Sequence, residues 1–390
     1  MLKQIHINEL EVGMYVHEIR EQTGDLKIKS QGKVTSQGMI KELKNKGIVS
    51  LTIDLSKQQQ AVEQDVQPEA KAEQKAIPFE QEIHRAKSLY EKGKGLQQYL
   101  LDSVSKGLPF DISIPEEFTQ QLVGSVHRNP NALLCMSRIR EKDAYLLEHS
   151  LNVAILLAYF GKHMGLPESV INELAYAGFL HDIGKIKVPD EILHKPGRLT
   201  EQEMVVMRDH VFFGTQVLAE MHLPEHIMQT VAEHHERLDG YGYPEGKRGD
   251  EISRFGRMIA IADTYDAMTA DRCYKAGMPS QKALHLLLKE APAKYDPELV
   301  QWFIRCIGVY PVGSLVQLNN HKVGMVVSQQ DGKLAQPVVK VFYSLRGNHF
   351  LAPQNVDLAQ QGTPIKIEKA VVASELGINF TRFFNESIAV

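Results

Sequence analysis

Histidine and aspartate side chains form the most informative pattern in this 390-residue sequence, because both residue types bind metal ions. Nine of the sixteen histidines lie between positions 149 and 235. The candidate ligands are His149, His181, Asp182, His210, His234, His235 and Asp263. Imidazole nitrogens suit Fe, Mn, Zn, Co and Ni, and a carboxylate can bridge two cations. Two metals about 3.5–4 Å apart can hold a hydroxide and clamp both oxygens of a phosphoryl displacement. The pattern therefore predicts a metal site suited to phosphoryl transfer.

The spacing of these residues indicates which elements position them. Successive histidines are separated by 32, 29 and 24 residues, about one helix plus a turn each. The helices of a bundle can aim such ligands at one interior point. Adjacent pairs, at 181–182 and 234–235, would point about 100° apart within a helix. Both members can face one site only near a helix end, and Gly184 and Asp239–Gly240 favour an end after each pair.

Other histidines are interpreted as packed or solvated residues, which is the commoner role of an isolated histidine. His222 and His226 have the i, i+4 spacing of a metal-binding pair, but Pro224 lies between them and breaks the helical geometry. This interpretation applies to His163, His194, His222, His226, His285 and His321.

Three segments resemble the motifs of the HD-GYP phosphohydrolases, a subgroup of the HD superfamily. They are HDIGK at 181–185, HHERLDGYGYP at 234–244 and IADTYDAMTADRCYK at 261–275. The resemblance extends over about residues 140–310. The segments INELEVGMYV, near the N-terminus, and YPVGSLVQL, after the motifs, resemble flanks found in one branch of the family.

The resemblance implies an enzyme that hydrolyses cyclic di-GMP to linear pGpG and often onward to GMP, while some members of the family act on cyclic GMP-AMP. It implies a helical bundle with two or three metals, commonly Fe or Mn, with Ni, Co or Zn as further candidates. The seven candidate ligands named above match the family's ligand positions, and Asp182 matches the bridge between metals. A hydroxide between the metals would attack phosphorus, with Asp182 and Lys185 as the catalytic side chains.

The resemblance also assigns substrate contacts. Lys185 matches a lysine that faces the phosphate, and Asp266, Arg272 and Lys275 match positions that contact or orient phosphate groups. The positive charges of Lys185, Arg272 and Lys275 suit a dianionic substrate. Tyr243, in the GYP segment, could stack on guanine, as could Tyr241, or both rings could pack on the bundle; both readings stay open.

One position departs from the family pattern. Members with three metals carry a glutamate four residues before the first ligand histidine, and here that residue is Tyr145. Tyrosine is a poor bridging ligand, so two metals are predicted. Cys273 stands where the family often has proline, and it is interpreted as a small packed side chain.

The predicted fold is mainly α: an HD-type helical bundle with a small mixed α/β N-terminal domain and a short β-rich C-terminal extension. The glycine-punctuated segment 1–56 has a strand-like stretch at 48–55, and a hairpin is expected around 319–322 with a further strand at 338–342. Helix starts are predicted by a capping box at Thr200 and Glu203 and by Asp296–Pro297. The predicted units are a regulatory or interaction domain at 1–56, a Gln-rich linker at 57–77, connecting helices at 78–130, the catalytic domain at 131–310 and the β-rich extension at 311–390.

The amino-acid composition of the chain argues against several classes of function. The formal charge is −4, from 44 basic and 48 acidic residues, which argues against broad electrostatic binding to DNA. Cys135, Cys273 and Cys306 form no CxxC pair and fit a reducing compartment. The longest purely apolar run, Val153–Phe160, is too short to cross a bilayer, and the N-terminus has no signal-peptide core. A cytoplasmic protein is predicted.

Two other functions remain alternatives at this stage. The first is a catalytically weak cyclic di-GMP receptor that signals through a partner; loss of a ligand would favour it, and every mapped ligand except the third-metal glutamate is present. The second is another HD-superfamily activity, either on a different nucleotide or oxygen-dependent. The expected partners are the cyclic dinucleotide and a signalling protein such as a diguanylate cyclase, with a homodimer as a further candidate.

Overall fold

A computed structural model provides the fold of this protein. It describes residues 2–10, 14–22, 32–34, 40–41, 43–44, 47–54, 77–139, 145–270, 277–330 and 332–387. The chain divides into two units, residues 1–74 and 75–390. The predicted Gln-rich linker at 57–77 lies outside the described residues, except for Ile77.

The N-terminal unit is built on an antiparallel sheet with strand order β1-β4-β2-β3. Its apolar side chains, among them Ile5, Val16 and Leu51, are buried in a small core of their own. The strand predicted at 48–55 is present as β4. The strands are β1 (Leu2–His6), β2 (Tyr15–Gln22), β3 (Gly32–Lys33) and β4 (Ile48–Asp54).

Helices dominate the second unit up to residue 307, as the sequence predicts. They are α1 (Phe79–Ser105), α2 (Ser113–Arg128), α3 (Pro130–Met136), α4 (Tyr145–His163), α5 (Glu168–Leu180), α6 (Asp190–Leu193), α7 (Glu201–Arg208), α8 (His210–Glu220), α9 (Glu225–Ala232), α10 (Arg254–Thr269), α11 (Ser280–Glu290) and α12 (Pro297–Ile307). Short 3₁₀ turns cover Ile183–Lys187 and Gly249–Glu251. The mainly α fold is thereby confirmed.

Both predicted helix starts are present. Thr200 Oγ1 accepts a hydrogen bond from the Glu203 amide, and the Glu203 carboxylate accepts one from the Thr200 amide, so the capping box begins α7. The Asp296 carboxylate accepts the amides of Glu298 and Leu299, with Pro297 as the first residue of α12. These caps satisfy amides that would otherwise lack partners at a helix start.

The bundle is organised around α4, whose apolar run is buried on nearly every side. Val153, Ile155 and Leu157 are fully inaccessible to solvent, because α2, α5 and α10 pack around this helix. The run predicted to be too short for a bilayer is thus a core helix. Among the described helices, none is both long and apolar enough to span a membrane.

The chain ends in a five-stranded antiparallel sheet of order β8-β7-β6-β5-β9. The predicted hairpin is formed by β5 and β6, and the predicted strand at 338–342 lies in β7. The sheet and the helices share one apolar core, and Met325 contacts Cys135. The strands are β5 (Leu315–Leu318), β6 (Lys322–Ser328), β7 (Val338–Ser344), β8 (His349–Asp357) and β9 (Ile367–Val371), followed by α13 (Phe380–Ser387).

Candidate metal centre

The predicted ligands lie at or near helix ends that converge inside the bundle. His149 is in the second turn of α4, His181–Asp182 directly follow α5, and His210 is the first residue of α8. His234 and His235 lie just after α9. Asp263 projects from the middle of α10. Both adjacent pairs therefore leave a helix where the backbone turns, which allows both members of each pair to face one point.

The carboxylate of Asp182 occupies the middle of this arrangement. Its Oδ2 lies 3.3 Å from His181 Nε2 and 3.5 Å from His149 Nε2. Its Oδ1 lies 3.5 Å from His210 Nε2 and 3.8 Å from His234 Nε2. One carboxylate thus faces two pairs of imidazoles, which is the geometry expected of a bridge between two cations.

Asp263 forms a second connection across the centre. Its Oδ1 lies 2.9 Å from His149 Nε2, and its Oδ2 lies 3.5 Å from His235 Nδ1. The ligand atoms form two compact groups, each with atoms within 4.8 Å of one another: His149, His181 and Asp182 in one, and His210, His234 and His235 in the other. The structure therefore brings all seven predicted ligands together as two half-sites joined by two carboxylates.

Hydrogen bonds behind the imidazoles fix their orientation. His181 Nδ1 donates to the Gly178 carbonyl at 2.8 Å, and His210 Nδ1 donates to the Met207 carbonyl at 2.7 Å. His234 Nδ1 donates in the same way to the carbonyl of Val231. A proton on Nδ1 leaves Nε2 as a lone-pair donor toward the centre, the usual arrangement behind a metal-binding histidine.

Unpaired buried atoms show that this donor set fits a metal. Within the described part of the chain, His181 Nε2 and Asp182 Oδ1 have no hydrogen-bond partner, although both residues are almost completely buried. Buried polar atoms without partners are costly, and a cation would satisfy both. Imidazoles and carboxylates together suit first-row divalent metals.

Burial and local charge set the protonation states of the ligands. Burial lowers the pKa of His210 to about 4 and that of His235 to about 3, so both imidazoles are neutral at pH 7. Burial opposes ionisation of Asp182, but the neighbouring His181 and Lys185 hold its pKa well below the usual range. Metal ligands must be deprotonated, and these three residues already are. Burial opposes protonation of His149, but its hydrogen bonds to Asp263 and Asp266 raise its pKa to about 9, so this imidazole must lose a proton when a metal binds.

The three cationic substrate contacts predicted from the sequence have different outcomes. Lys185 lies in the 3₁₀ turn, and its ammonium group donates to Asp182 Oδ2 while its side chain remains 17% exposed. It therefore borders the centre. Arg272 and Lys275, like Cys273, lie outside the described residues. Tyr145 is the first residue of α4, but its side chain also lies outside the described part.

Asp266 has a different position from the one expected of a phosphate contact. Its side chain is 1% exposed, and its Oδ2 lies 2.8 Å from His149 Nδ1, on the side of the ring opposite Asp263. An anionic carboxylate would be repelled by a phosphate and is well placed to orient an imidazole. The position of Asp266 therefore fits a partner that orients His149 better than a phosphate contact.

The GYP segment forms a loop against the second half-site. The Tyr243 ring lies 4.6 Å from the His235 ring, centroid to centroid, and the Tyr243 amide donates to the His235 carbonyl. A Cβ atom at Gly242 would overlap the backbone of Glu236 and Arg237, so only glycine allows this approach. Tyr241, in contrast, is 77% exposed. Of the two tyrosines, only Tyr243 borders the centre.

Two residues that the sequence analysis did not single out also shape the site. The buried Glu236 carboxylate accepts the amides of Glu245, Gly246 and Lys247, which holds the loop after the GYP segment. The Arg208 guanidinium lies over the Tyr243 ring. In the sequence, these roles were indicated only by proximity to a predicted ligand. Glu236 directly follows His235, and Arg208 lies two residues before His210.

Comparisons with known proteins agree with this geometry. A family model described as an HD domain matches residues 133–299, and one described as a domain of unknown function matches residues 2–113. The cyclic di-GMP phosphodiesterase PA4108 of Pseudomonas aeruginosa is 33% identical over 379 residues, covering 94% of this chain and 91% of that protein.

Two further relatives match a smaller part of the chain. A cyclic di-GMP phosphodiesterase of Thermotoga maritima is 35% identical over 209 residues, covering 53% of this chain and 56% of that protein. The 3'3'-cGAMP-specific phosphodiesterase 3 of Vibrio cholerae is 35% identical over 170 residues, covering 44% of this chain and 37% of that protein. Because the Pseudomonas match runs along almost the whole chain and the HD-domain match contains all seven predicted ligands, this chain belongs to the HD-GYP phosphodiesterase family.

Proposed function

We propose that this chain is a metal-dependent phosphodiesterase that hydrolyses cyclic di-GMP to linear pGpG and onward to GMP. The observation that carries the proposal is the pair of imidazole half-sites joined by Asp182 and Asp263. The Pseudomonas and Thermotoga relatives are named cyclic di-GMP phosphodiesterases. The Vibrio relative is named for 3'3'-cGAMP, which makes cyclic GMP-AMP the second candidate substrate.

The proposed cofactors are two divalent cations, Fe or Mn, held by the seven ligands. HD-domain phosphohydrolases are metal-dependent, and the two half-sites offer one place for each ion. Tyr145, at the position of the family's third-metal glutamate, supports a count of two. Bound at this centre, the cations supply Lewis acidity toward the phosphoryl oxygens and a nucleophile at neutral pH.

The chain's own side chains bind and orient the substrate around these ions. Lys185, beside Asp182, places an ammonium charge at the edge of the centre, where charge builds on phosphate oxygens during the reaction. Arg272 and Lys275 remain proposed phosphate contacts. Tyr243 closes one side of the site, and burial raises the pKa of its hydroxyl, which therefore stays protonated. The Tyr243 ring already contacts His235 and Arg208, which favours a wall over a freely stacking platform.

Anaerobic turnover tests this proposal. The full chain, loaded separately with Fe(II) and Mn(II), is incubated with cyclic di-GMP or cyclic GMP-AMP, and the products are separated by chromatography. We expect metal-dependent formation of the linear dinucleotide and then of the mononucleotide. Tight binding of cyclic di-GMP at full metal occupancy without any product would contradict the enzyme and favour the receptor alternative.

Each segment of the chain has a proposed role. We propose that 131–310 is the catalytic domain, 78–130 forms connecting helices, 1–56 is a regulatory or interaction domain joined by the linker at 57–77, and 311–390 is an extension that packs on the bundle. The shared core of the sheet and the helices supports the last assignment. The diguanylate cyclase partner, the homodimer and the cytoplasmic location stay predictions.

A further inference from the structure

Arg208 brings a permanent positive charge to the border of the metal centre. It is the last residue of α7, two residues before the ligand His210. Its guanidinium carbon lies 5.0 Å from the centroid of the Tyr243 ring. The centroid of that ring lies 4.6 Å from the His235 ring and 6.3 Å from the His210 ring. The cation is therefore separated from two metal ligands by a single aromatic ring.

The charge of Arg208 is not neutralised by the described chain. Among the residues that the structure describes, no carboxylate pairs with its guanidinium and no hydrogen bond reaches it, and the residue is exposed. Two other arginines of this unit, in contrast, have acidic partners: Arg128 pairs with Glu82, and Arg237 with Asp239. Lys185, the other cation beside the centre, is bound to Asp182. Arg208 alone among these cations has its donors available.

The contact with the Tyr243 ring limits the directions in which those donors can point. A guanidinium that packs on a ring uses its flat face, while its N–H groups lie in the plane and point outward from its edge. The ring also restricts the long side chain, which lowers the entropy lost when an anion binds. A phosphate group can accept two parallel N–H bonds from such an edge.

We propose that Arg208 binds the phosphate group of the cyclic dinucleotide that is not being cleaved. This inference rests on the proposed function. A cyclic dinucleotide holds two phosphodiesters in one ring. The predicted metal ligands and Lys185 surround Asp182, and one of the two phosphodiesters reacts there. The second phosphate travels with the first, and the guanidinium of Arg208 at the border of the same centre offers it a counter-charge in addition to those proposed for Arg272 and Lys275.

This role has a distinct kinetic signature. A contact to the non-reacting phosphate is equally strong in the bound substrate and in the transition state, so its loss changes KM rather than kcat. For Arg208→Ala we expect KM for cyclic di-GMP to rise roughly ten- to hundred-fold, the range for a hydrogen bond to a charged group. We expect kcat to change less than about three-fold.

The experiment compares two substrates and three variants of the full-length, metal-loaded chain. Bis(4-nitrophenyl) phosphate has a single phosphodiester and no second phosphate, so its hydrolysis reports the metal centre without the proposed contact. Arg208→Lys keeps the charge but loses the planar fork. Arg305→Ala is the matched control, because Arg305 also lies over an aromatic ring, 5.6 Å from the centroid of Trp302. That ring neighbours His163, about 21 Å along α4 from His149.

The expected result is a raised KM for cyclic di-GMP in Arg208→Ala, with unchanged turnover of bis(4-nitrophenyl) phosphate and unchanged metal content. Arg208→Lys should recover part of the loss, and added salt should shrink the difference from wild type because it screens an exposed ion pair. Arg305→Ala should behave as wild type.

Several results would overturn the inference. An unchanged KM in Arg208→Ala would exclude the contact. Equal losses on both substrates would show that Arg208 only supports Tyr243 and the ligands behind it. A loss in Arg208→Ala that does not change with added salt would indicate recognition of an uncharged guanine edge rather than of a phosphate. Failure of the proposed function is recognised separately, in the wild type: turnover of bis(4-nitrophenyl) phosphate without turnover of any cyclic dinucleotide would remove both conclusions.

Discussion

The imidazoles of this centre form hydrogen bonds through the ring nitrogen that faces away from the centre. His181, His210 and His234 each donate Nδ1–H to the carbonyl three residues earlier, which is a local consequence of placing histidine at the end or the start of a helix. His149 lies inside α4, where such carbonyls are used by the helix itself. Its Nδ1 faces a carboxylate from another helix, Asp266.

Asp266→Asn tests that positioning role. Asparagine keeps the shape but loses the charge, so His149 should become a poorer ligand. We expect metal affinity to fall by about ten- to a hundred-fold, as for other partners behind ligating histidines. Turnover should recover at high metal concentration. Metal titration followed by activity measurement checks this.

The control is Asp190→Asn, which changes a fully solvated carboxylate whose side chain is 90% exposed. Unchanged metal affinity in Asp266→Asn together with a raised KM would instead place Asp266 on the substrate phosphate, as the sequence resemblance implied.

The sequence predicted which side chains converge in the bundle but little of what surrounds them. The convergence of the seven predicted ligands was predictable because their types, order and spacing each limit the chemistry. The roles of Asp266, Glu236 and Arg208 depend on contacts across helices and loops, such as the one between positions 149 and 266. No local spacing encodes those contacts.

The 3₁₀ turn at Ile183–Lys187 is the element on which the centre depends most closely. It carries Lys185 and packs against the first turns of α8, where His210 begins the helix. A Cβ atom at Gly184 would overlap the His210 carbonyl oxygen and the Gly214 backbone nitrogen. Glycine is required here by close backbone approach rather than by an unusual dihedral angle.

Gly184→Ala should therefore separate the two half-sites. We expect the free energy of unfolding to fall by at least about 2 kcal/mol, because the overlap is with backbone that cannot move aside. Metal binding should weaken in parallel. Urea unfolding with and without metal measures both effects.

The matched control is Gly95→Ala in α1, where an added Cβ meets no atom within 4 Å. This change should leave metal binding unaltered and stabilise the fold by up to about 1 kcal/mol, the usual gain of alanine over glycine in a helix. If Gly184→Ala were as stable and as metal-competent as Gly95→Ala, the close packing of the turn on α8 would be wrong.

Elements with strong local signals were predictable from sequence, and elements with weak ones were not. The caps of α7 and α12 and the hairpin of β5 and β6 follow from residue types at short range. Strand β8 was missed because its side chains are mostly exposed and lack the alternation of a half-buried strand. Its pairing with β7 is a tertiary feature.

At the scale of the molecule, the metal centre links helices that are distant in sequence. Its ligands come from α4, the segment after α5, the start of α8, the segment after α9, and α10. The C-terminal sheet continues the same core, with Lys340 paired to Glu80 at 3.0 Å. Metal ions that bind only to the folded arrangement of these side chains must stabilise the whole unit.

Metal loading should accordingly raise the thermal midpoint of the second unit. At a free metal concentration of a thousand times Kd, a single site adds about 4 kcal/mol to the free energy of unfolding. Scanning calorimetry under anaerobic conditions, with Mn(II) and then a chelator, measures the shift and its reversal. His194→Ala, at an exposed histidine outside the centre, should keep the full shift. A midpoint insensitive to metal would show that the centre does not hold an ion in the folded chain.

The order of the large units was predictable because composition changes sharply along the chain. The function of the N-terminal unit was not predictable from the sequence. Its sheet and small core contain no cluster of catalytic or metal-binding groups among the described residues. A fold without such a cluster does not identify its ligand.

Asp182→Ala is the measurement that tests the central claim most directly. Metal content and hydrolysis of cyclic di-GMP are determined on the same anaerobic samples of wild type, Asp182→Ala and His194→Ala. The account predicts two metals per chain with turnover in the wild type and the His194 variant, and loss of metal together with loss of hydrolysis when the bridging carboxylate is removed. Retained hydrolysis in Asp182→Ala would contradict a reaction at this centre.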